Sequence, residues 1–181
     1  MEKVISGLVQ FKSSSFEDRK ELFAELANGQ SPEVLFITCA DSRIDPNLVT
    51  QTEPGDLFII RNAGNIVPPH TRVSGGVTAS IEYAVAVLGI KHIVVCGHSD
   101  CGAMKGALNI AALADLPHVQ DWLDHSRAAV EIVKAKHGHA CRSRPCQALR
   151  PLQGGFAGGQ AGAKHSVWSR RRARTPMPGH A

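Results

Sequence analysis

Short, largely apolar runs alternate with a segment of helical periodicity in the middle of the chain. The runs at residues 34–39 (VLFITC), 56–62 (DLFIIRN) and 92–97 (HIVVCG) are rich in β-branched residues, as expected of strands buried on both faces of a parallel sheet. Between the second and third runs, residues 77–89 (VTASIEYAVAVLG) carry an apolar stripe at helical spacing. This alternation predicts an α/β fold in which helices flank a mainly parallel β-sheet.

Helical patterns also lie on either side of the predicted sheet. Residues 3–28 carry apolar side chains at near-helical spacing, so residues 1–30 are predicted to form an N-terminal helical arm. Residues 112–138 resume a helical pattern that Pro117 interrupts. We therefore expect one domain over residues 1–138.

The composition changes abruptly after residue 138. Residues 139–181 are rich in Gly, Arg and Pro and contain no Asp or Glu, which predicts a disordered basic tail. Residues 1–131 hold 10 Lys and Arg against 16 Asp and Glu, so the pI of about 8.9 comes from the end of the chain. Arg170–Arg174 is the sole support for a nucleic-acid partner, and since such runs are usually only solvated, none is expected.

Composition and cysteine usage narrow the class of protein. A chain of 181 residues with 43% hydrophobic residues can bury the core of a packed domain. No apolar run approaches the ~20 residues of a membrane span, and the first 20 residues lack the apolar stretch of a signal peptide. We therefore expect a cytoplasmic protein with no membrane partner. Its five Cys are odd in number and unevenly spaced, which favours metal binding or catalysis over a disulfide framework.

Metal-binding side chains stand where two of the predicted strands end. Cys39 and Asp41 follow the first strand, and His98 and Cys101 follow the third. Ligands gather at the carboxyl ends of parallel strands, and this mixture of donors favours zinc over magnesium or calcium. Spacing alone leaves a zinc site and a chance grouping of buried thiols equally open. For Cys96, inside the third strand, the interpretation as a core residue is preferred.

The same segments contain two motifs that resemble the signature motifs of the β-class carbonic anhydrases. They are C-A-D-S-R at 39–43 and C-G-H-S-D-C-G at 96–102. The resemblance extends in order over residues 3–137. It includes Gly29-Gln30-Ser31-Pro32, Glu53-Pro54-Gly55-Asp56, Arg61-Asn62-Ala63-Gly64-Asn65, Val67-Pro68 and Ser80-Ile81-Glu82-Tyr83-Ala84. The allosteric subtype of the family has Trp where Phe36 stands, so that subtype is not expected.

The resemblance implies a zinc lyase that interconverts carbon dioxide and bicarbonate. Cys39, His98 and Cys101 would hold one zinc ion per chain. Asp41 would be a fourth ligand in a closed form or would swing to Arg43 in an open form. Zinc-bound hydroxide would then hydrate carbon dioxide and release a proton. Because two thiolates make the zinc less acidic than three imidazoles would, activity is expected to need a rather alkaline pH.

The resemblance also implies a substrate pocket and an oligomer. Gln30 would donate a hydrogen bond to a substrate oxygen across a dimer interface, and Phe58, Ala63 and Tyr83 would line a narrow apolar pocket. The chain would assemble as a homodimer or a larger homo-oligomer. Its small-molecule partner would be carbon dioxide or bicarbonate.

The end of the chain leaves alternatives to this activity open. Members of the family usually continue with a further helix and a strand of pattern H-G-W-x-Y-x-I, which this chain lacks. Its tail looks like the product of a reading-frame change or an unrelated replacement, and the missing strand should leave a sheet edge unpaired. One alternative is an inactive or poorly folded truncated homologue that keeps the zinc ligands. Another is hydrolysis of COS or CS2 at the same site.

Overall fold

The computed structural model of the chain describes residues 1–70, 75–137, 155–156 and 167–169. Helices and strands alternate through the described part, with short π-helical or 3-10 turns between some of them. The helices are α1 (Glu2–Gln10), α2 (Lys20–Leu26), α3 (Pro46–Thr50), α4 (Gly76–Glu82), α5 (Gly102–Leu108), α6 (Pro117–Asp124) and α7 (Arg127–His137). The strands are β1 (Val34–Cys39), β2 (Leu57–Asn62), β3 (His92–His98), β4 (Gly155–Phe156) and β5 (Val167–Ser169).

A parallel sheet with β1 at its centre forms the middle of the fold. β1 pairs in parallel with β2 on one side and with β3 on the other. Every residue of β1 from Leu35 to Cys39 is buried, because apolar side chains cover both faces of the strand. Thr38, the buried polar residue of the strand, donates its hydroxyl to the carbonyl of Cys96 at 2.9 Å. The predicted parallel α/β sheet is therefore confirmed.

Two apolar layers cover the two faces of this sheet. Leu35 and Ile37 are 0% and 1% exposed and pack with Ala84, which follows α4. Phe36 points to the other face and packs with residues of α5, α6 and α7 such as Leu123. Full burial of one such side chain contributes about 1.5–3 kcal/mol. The period-2 alternation of β1 thus fixes which helices lie on which face, and with that the direction in which the strand ends point.

Two short strands from the tail lie along the outer edge of β3. β4 runs parallel to residues 97–98, and β5 runs antiparallel to residues 92–94. The sequence pattern predicted no strand beyond residue 138 and an unpaired edge, and at these positions that prediction is wrong. Strands of two and three residues are too short to display a periodicity. The predicted disorder of the rest of the tail concerns residues outside the described ones.

The N-terminal arm is helical, as predicted, but it is not one continuous helix. A π-helical turn at Phe11–Ser15 and a 3-10 turn at Glu17–Arg19 separate α1 from α2. The ring of Phe11, at the end of α1, meets the ring of Phe23 in α2 edge to face with centroids 5.9 Å apart, which holds the two helices together across this break. Within the described residues, no helix is long and apolar enough to cross a membrane.

Candidate metal centre and active site

Three predicted ligands converge at the carboxyl ends of β1 and β3. Cys39 ends β1, His98 ends β3, and Cys101 directly precedes α5. The Sγ atoms of Cys39 and Cys101 lie 3.8 Å apart. These two sulfur atoms and a ring nitrogen of His98 all lie within 4.8 Å of one another. Since the two Cys are 4% and 0% exposed, the three side chains form a buried group that could hold a metal ion.

The imidazole of His98 is oriented so that one nitrogen is available to a ligand. Its Nδ1 lies 2.9 Å from the carbonyl of Ser99, to which it donates if it carries the proton. Nε2 is then the acceptor, and it is buried with no hydrogen-bond partner among the described residues. The Asp41 Oδ2 atom is 3.7 Å from Nε2, beyond hydrogen-bond length. An unpartnered buried nitrogen is costly, and a metal ion would satisfy it while the carbonyl fixes the tautomer.

Backbone N–H groups surround both sulfur atoms. The amides of Asp41 and Gly64 donate to Cys39 Sγ, each at 3.4 Å. Burial raises the pKa of Cys101 to about 11, against the opposing effect of the Met104 and Ala103 amides at the start of α5. In the absence of a metal this thiol stays protonated at neutral pH, so metal binding must release a proton. The amides then stabilise the resulting thiolates.

Asp41 is paired with Arg43 in this structure. Arg43 Nε donates to Asp41 Oδ1 at 2.9 Å and Nη2 donates to Oδ2 at 2.7 Å, while the Arg43 amide also donates to Oδ1 at 2.9 Å. These hydrogen bonds hold the pKa of the Asp41 carboxyl well below its usual range. Asp41 is therefore ionised throughout the neutral and alkaline range, and both of its oxygens are engaged by Arg43 rather than by the group of Cys39, His98 and Cys101.

A second arginine, which the sequence interpretation treated only as part of a motif, fixes the loop after β1. Arg61 Nε donates to the Cys39 carbonyl at 3.1 Å, and its Nη2 donates to the carbonyls of Asp41 and Ile44 at 2.7 and 2.9 Å. In the sequence, the only signal for this role is that Arg61 stands near the end of the run that forms β2. Pairing of β2 with β1 then places Arg61 beside the end of β1. Its three bonds hold the loop that carries Asp41 and Arg43.

The family of the chain follows from comparison with known proteins. The sequence model of the carbonic anhydrase family matches residues 34–150. A carbonic anhydrase from Synechococcus elongatus is 56% identical over 134 residues, which are 74% of this chain and 49% of that protein. The solved β-carbonic anhydrase CcaA superposes with a TM-score of 0.78 at 46% identity and covers 84% of this chain and 77% of its own. The chain belongs to the β-class carbonic anhydrases.

This assignment confirms the resemblance stated from the motifs. A tetrameric β-carbonic anhydrase from Sordaria macrospora also superposes, with a TM-score of 0.66 at 32% identity over 84% of this chain and 74% of its own. The chain spans about half of the length of the Synechococcus relative. The family is thus established for the chain.

The four predicted pocket residues of this β-carbonic anhydrase lie in different places. Phe58 and Tyr83 face one another with ring centroids 6.1 Å apart, and Tyr83 is 45% exposed. Ala63 adjoins the amide that binds Cys39, and its carbonyl accepts from Trp122 Nε1 at 2.8 Å. Gln30 does not adjoin the metal group; it lines a shallow depression of about 470 Å³ together with Leu26 at the end of α2, residues 27–29 and Gly55. Their substrate-binding roles stay predictions.

Gly64 lets the loop after β2 approach the metal group. Its φ of +84° lies in the left-handed region, and a Cβ built there would come within 2.5 Å of Met104 Cε. We expect Gly64→Ala to lower the free energy of unfolding by roughly 1–2 kcal/mol, because a residue with a Cβ is strained at this φ, whereas the flexible Met104 side chain can move aside. Urea denaturation measures this difference.

Gly7 offers a matched control for that substitution. It lies within α1, and a Cβ added at this position would have no neighbouring atom within 4 Å. Gly7→Ala should therefore be neutral or raise stability by up to about 1 kcal/mol. Equal destabilisation by both substitutions would show that the left-handed conformation at Gly64 has no special cost.

Proposed function

We propose that this β-carbonic anhydrase is a zinc-dependent enzyme that interconverts carbon dioxide and bicarbonate with release of a proton. The observation that carries the proposal is the buried group of Cys39, His98 and Cys101 beside an aspartate that an arginine holds in an ion pair. A purely structural metal site has four protein ligands, whereas a catalytic one keeps a position open. Pairing of Asp41 with Arg43 leaves three protein donors and is consistent with the catalytic type.

Zinc fits the donors that this chain supplies, with one ion per chain. Two sulfur ligands at the usual Zn–S length of about 2.3 Å are separated by about 3.8 Å across a tetrahedral angle. The Sγ atoms of Cys39 and Cys101 are 3.8 Å apart. The unpartnered Nε2 of His98 supplies the third donor. Thiolate and imidazole together disfavour the hard cations magnesium and calcium.

The chain's own residues would prepare and orient the reactants. When bound, zinc would act as a Lewis acid that lowers the pKa of water and so supplies the nucleophile. Arg43 keeps the Asp41 carboxylate ionised and away from the metal donors. An ionised Asp41 accepts hydrogen bonds but donates none, so it can orient the O–H of a nearby water molecule. Phe58, whose ring faces that of Tyr83, packs against the apolar layer of Leu35 and Ile37 and not against the layer that contains Cys39 and Cys101, so a role of these two rings in binding carbon dioxide would require a neighbouring subunit.

Stopped-flow hydration of carbon dioxide tests the proposal. The full chain should be purified with zinc, its zinc content measured, and its activity followed at alkaline pH. Zinc-dependent hydration with about one ion per chain supports the proposal. A chain that holds zinc but hydrates nothing would be the inactive homologue considered above, and parallel assays with COS and CS2 would identify a hydrolase.

We further propose that the chain forms a homo-oligomer. Exposed apolar side chains line α1 and its end, with exposures of 61% for Val4, 56% for Ile5, 65% for Leu8, 66% for Val9 and 43% for Phe11. A patch of this kind on a soluble domain marks an interface. Gln30 would reach a substrate only from a neighbouring subunit, since it lines a depression apart from the metal group. Light scattering should give at least twice the 19.3 kDa chain mass.

A further inference from the structure

Arg43 has contacts beyond its pair with Asp41, and they lie on the second ligand loop. Its Nη2 donates to the carbonyl of Asp100 at 3.1 Å. Its Nη1 lies 3.5 Å from Asp100 Oδ2. The other carboxylate oxygen, Oδ1, pairs with Lys105 Nζ at 2.5 Å. A row of alternating charges therefore runs from Lys105 through Asp100 and Arg43 to Asp41.

The two aspartates do not compete for the same hydrogen on Arg43. Nε and Nη2 serve the Asp41 carboxylate, whereas Nη1 faces the Asp100 carboxylate. A guanidinium group has five N–H donors in a fixed plane, so anchoring one edge orients the adjacent edge. Contacts with Asp100 therefore aim Nε and Nη2 at Asp41 without reducing the bonds available there.

The backbone at Asp100 contributes to this arrangement. Asp100 has a φ of +59° and lies between the predicted ligands His98 and Cys101. Asp and Asn are the residues, apart from Gly, that most readily adopt this left-handed conformation. In this conformation both the carbonyl and the carboxylate of Asp100 reach Arg43. Arg43 thereby connects the loop after β1 with the loop after β3.

We propose that Asp100 is a positioning residue, whose carboxylate holds the Arg43 guanidinium in the orientation that keeps Asp41 paired and away from the metal donors. The inference rests on the proposed function for its catalytic meaning. Lys105 fixes the Asp100 carboxylate by its own ion pair, so that Oδ2 faces Arg43. Arginine loses considerable rotational freedom when it is held, and an anchor on the second loop reduces the further loss on pairing with Asp41.

The test measures how fast the Nε hydrogen of Arg43 exchanges with water. This rate is obtained by ¹⁵N NMR of the zinc-loaded full chain. Arg43→Gln assigns the signal by its disappearance. Asp100→Asn removes the negative charge of the side chain but retains its shape. Asn also keeps the backbone carbonyl that accepts from Arg43 and tolerates the positive φ at this position. Asp100→Gly is the second variant, which also accepts that φ. Asp115→Asn, an exposed aspartate before α6, is the control for loss of one acidic charge.

Both Asp100 variants should raise the Arg43 Nε exchange rate about 2–5-fold, as expected for loss of a largely exposed ion pair, and the control should leave it unchanged. Hydration activity should fall by a similar factor with zinc content unchanged. An unaltered Nε signal in both variants would overturn the proposal. So would loss of zinc in Asp100→Asn, because Asp100 would then hold the whole loop. Wild-type hydration is measured separately, so failure of the proposed function is recognised independently.

Discussion

Cys101→Ala is expected to remove the metal and with it the hydration activity. Cys101 is fully buried and its Sγ atom lies 3.8 Å from that of Cys39, so the two thiolates would share one metal ion that offsets the cost of their buried charge. Loss of one of three protein donors leaves two, too few for a tetrahedral site. Zinc content measured by atomic absorption should fall from about one ion per chain to nearly none, because binding requires the full set of deprotonated ligands.

Cys96→Ala is the matched control for this substitution. Cys96 is also buried, at 3% exposed, and lies near the end of the same strand as His98, but it is not among the three converging donors. Burial raises the pKa of its thiol, as expected of an inert core cysteine. Its replacement should cost roughly 1 kcal/mol of stability through lost packing while zinc remains bound. If Cys101→Ala retained zinc, or if Cys96→Ala released it, the assignment of ligands would be wrong.

The strands and the metal group could be predicted because their signals are local. An apolar β-branched run such as residues 34–39 has few other ways to fold in an α/β domain. Once β1 and β3 are parallel neighbours, the side chains that follow them must meet at one edge of the sheet. The convergence of Cys39, His98 and Cys101 then follows from topology, and the family motifs added their expected roles.

Features that depend on contacts between distant segments could not be predicted in this way. The three hydrogen bonds of Arg61 to the loop after β1 depend on the register between β1 and β2, which no run of residues displays. The same holds for Asp100 and Arg43, which lie 57 positions apart in the sequence. The tail strands β4 and β5 are too short to have a pattern. The sequence also left open whether Asp41 pairs with Arg43, which depends on the relative energies of two geometries.

Arg43→Ala is expected to leave zinc bound and to lower the rate of hydration about 10–100-fold, the usual effect of losing a partner just outside the ligand set. Without the guanidinium, Asp41 loses both side-chain hydrogen bonds that now hold its oxygens. Its carboxylate is then free to approach the metal donors, since Oδ2 already lies 3.7 Å from His98 Nε2. Stopped-flow hydration and zinc analysis on the same preparation separate loss of rate from loss of metal.

Arg19→Ala supplies the control, because Arg19 also forms a hydrogen-bonded ion pair, with Glu53 at 2.8 Å, on an exposed part of the chain. Its loss should change stability little, as expected of an exposed ion pair, and should leave the rate unchanged. If Arg43→Ala hydrates carbon dioxide as fast as the parent chain, Asp41 does not need its partner and the proposed pairing has no catalytic role. If zinc is lost as well, Arg43 acts by holding the two ligand loops together, through the carbonyl of Asp100, rather than by controlling Asp41.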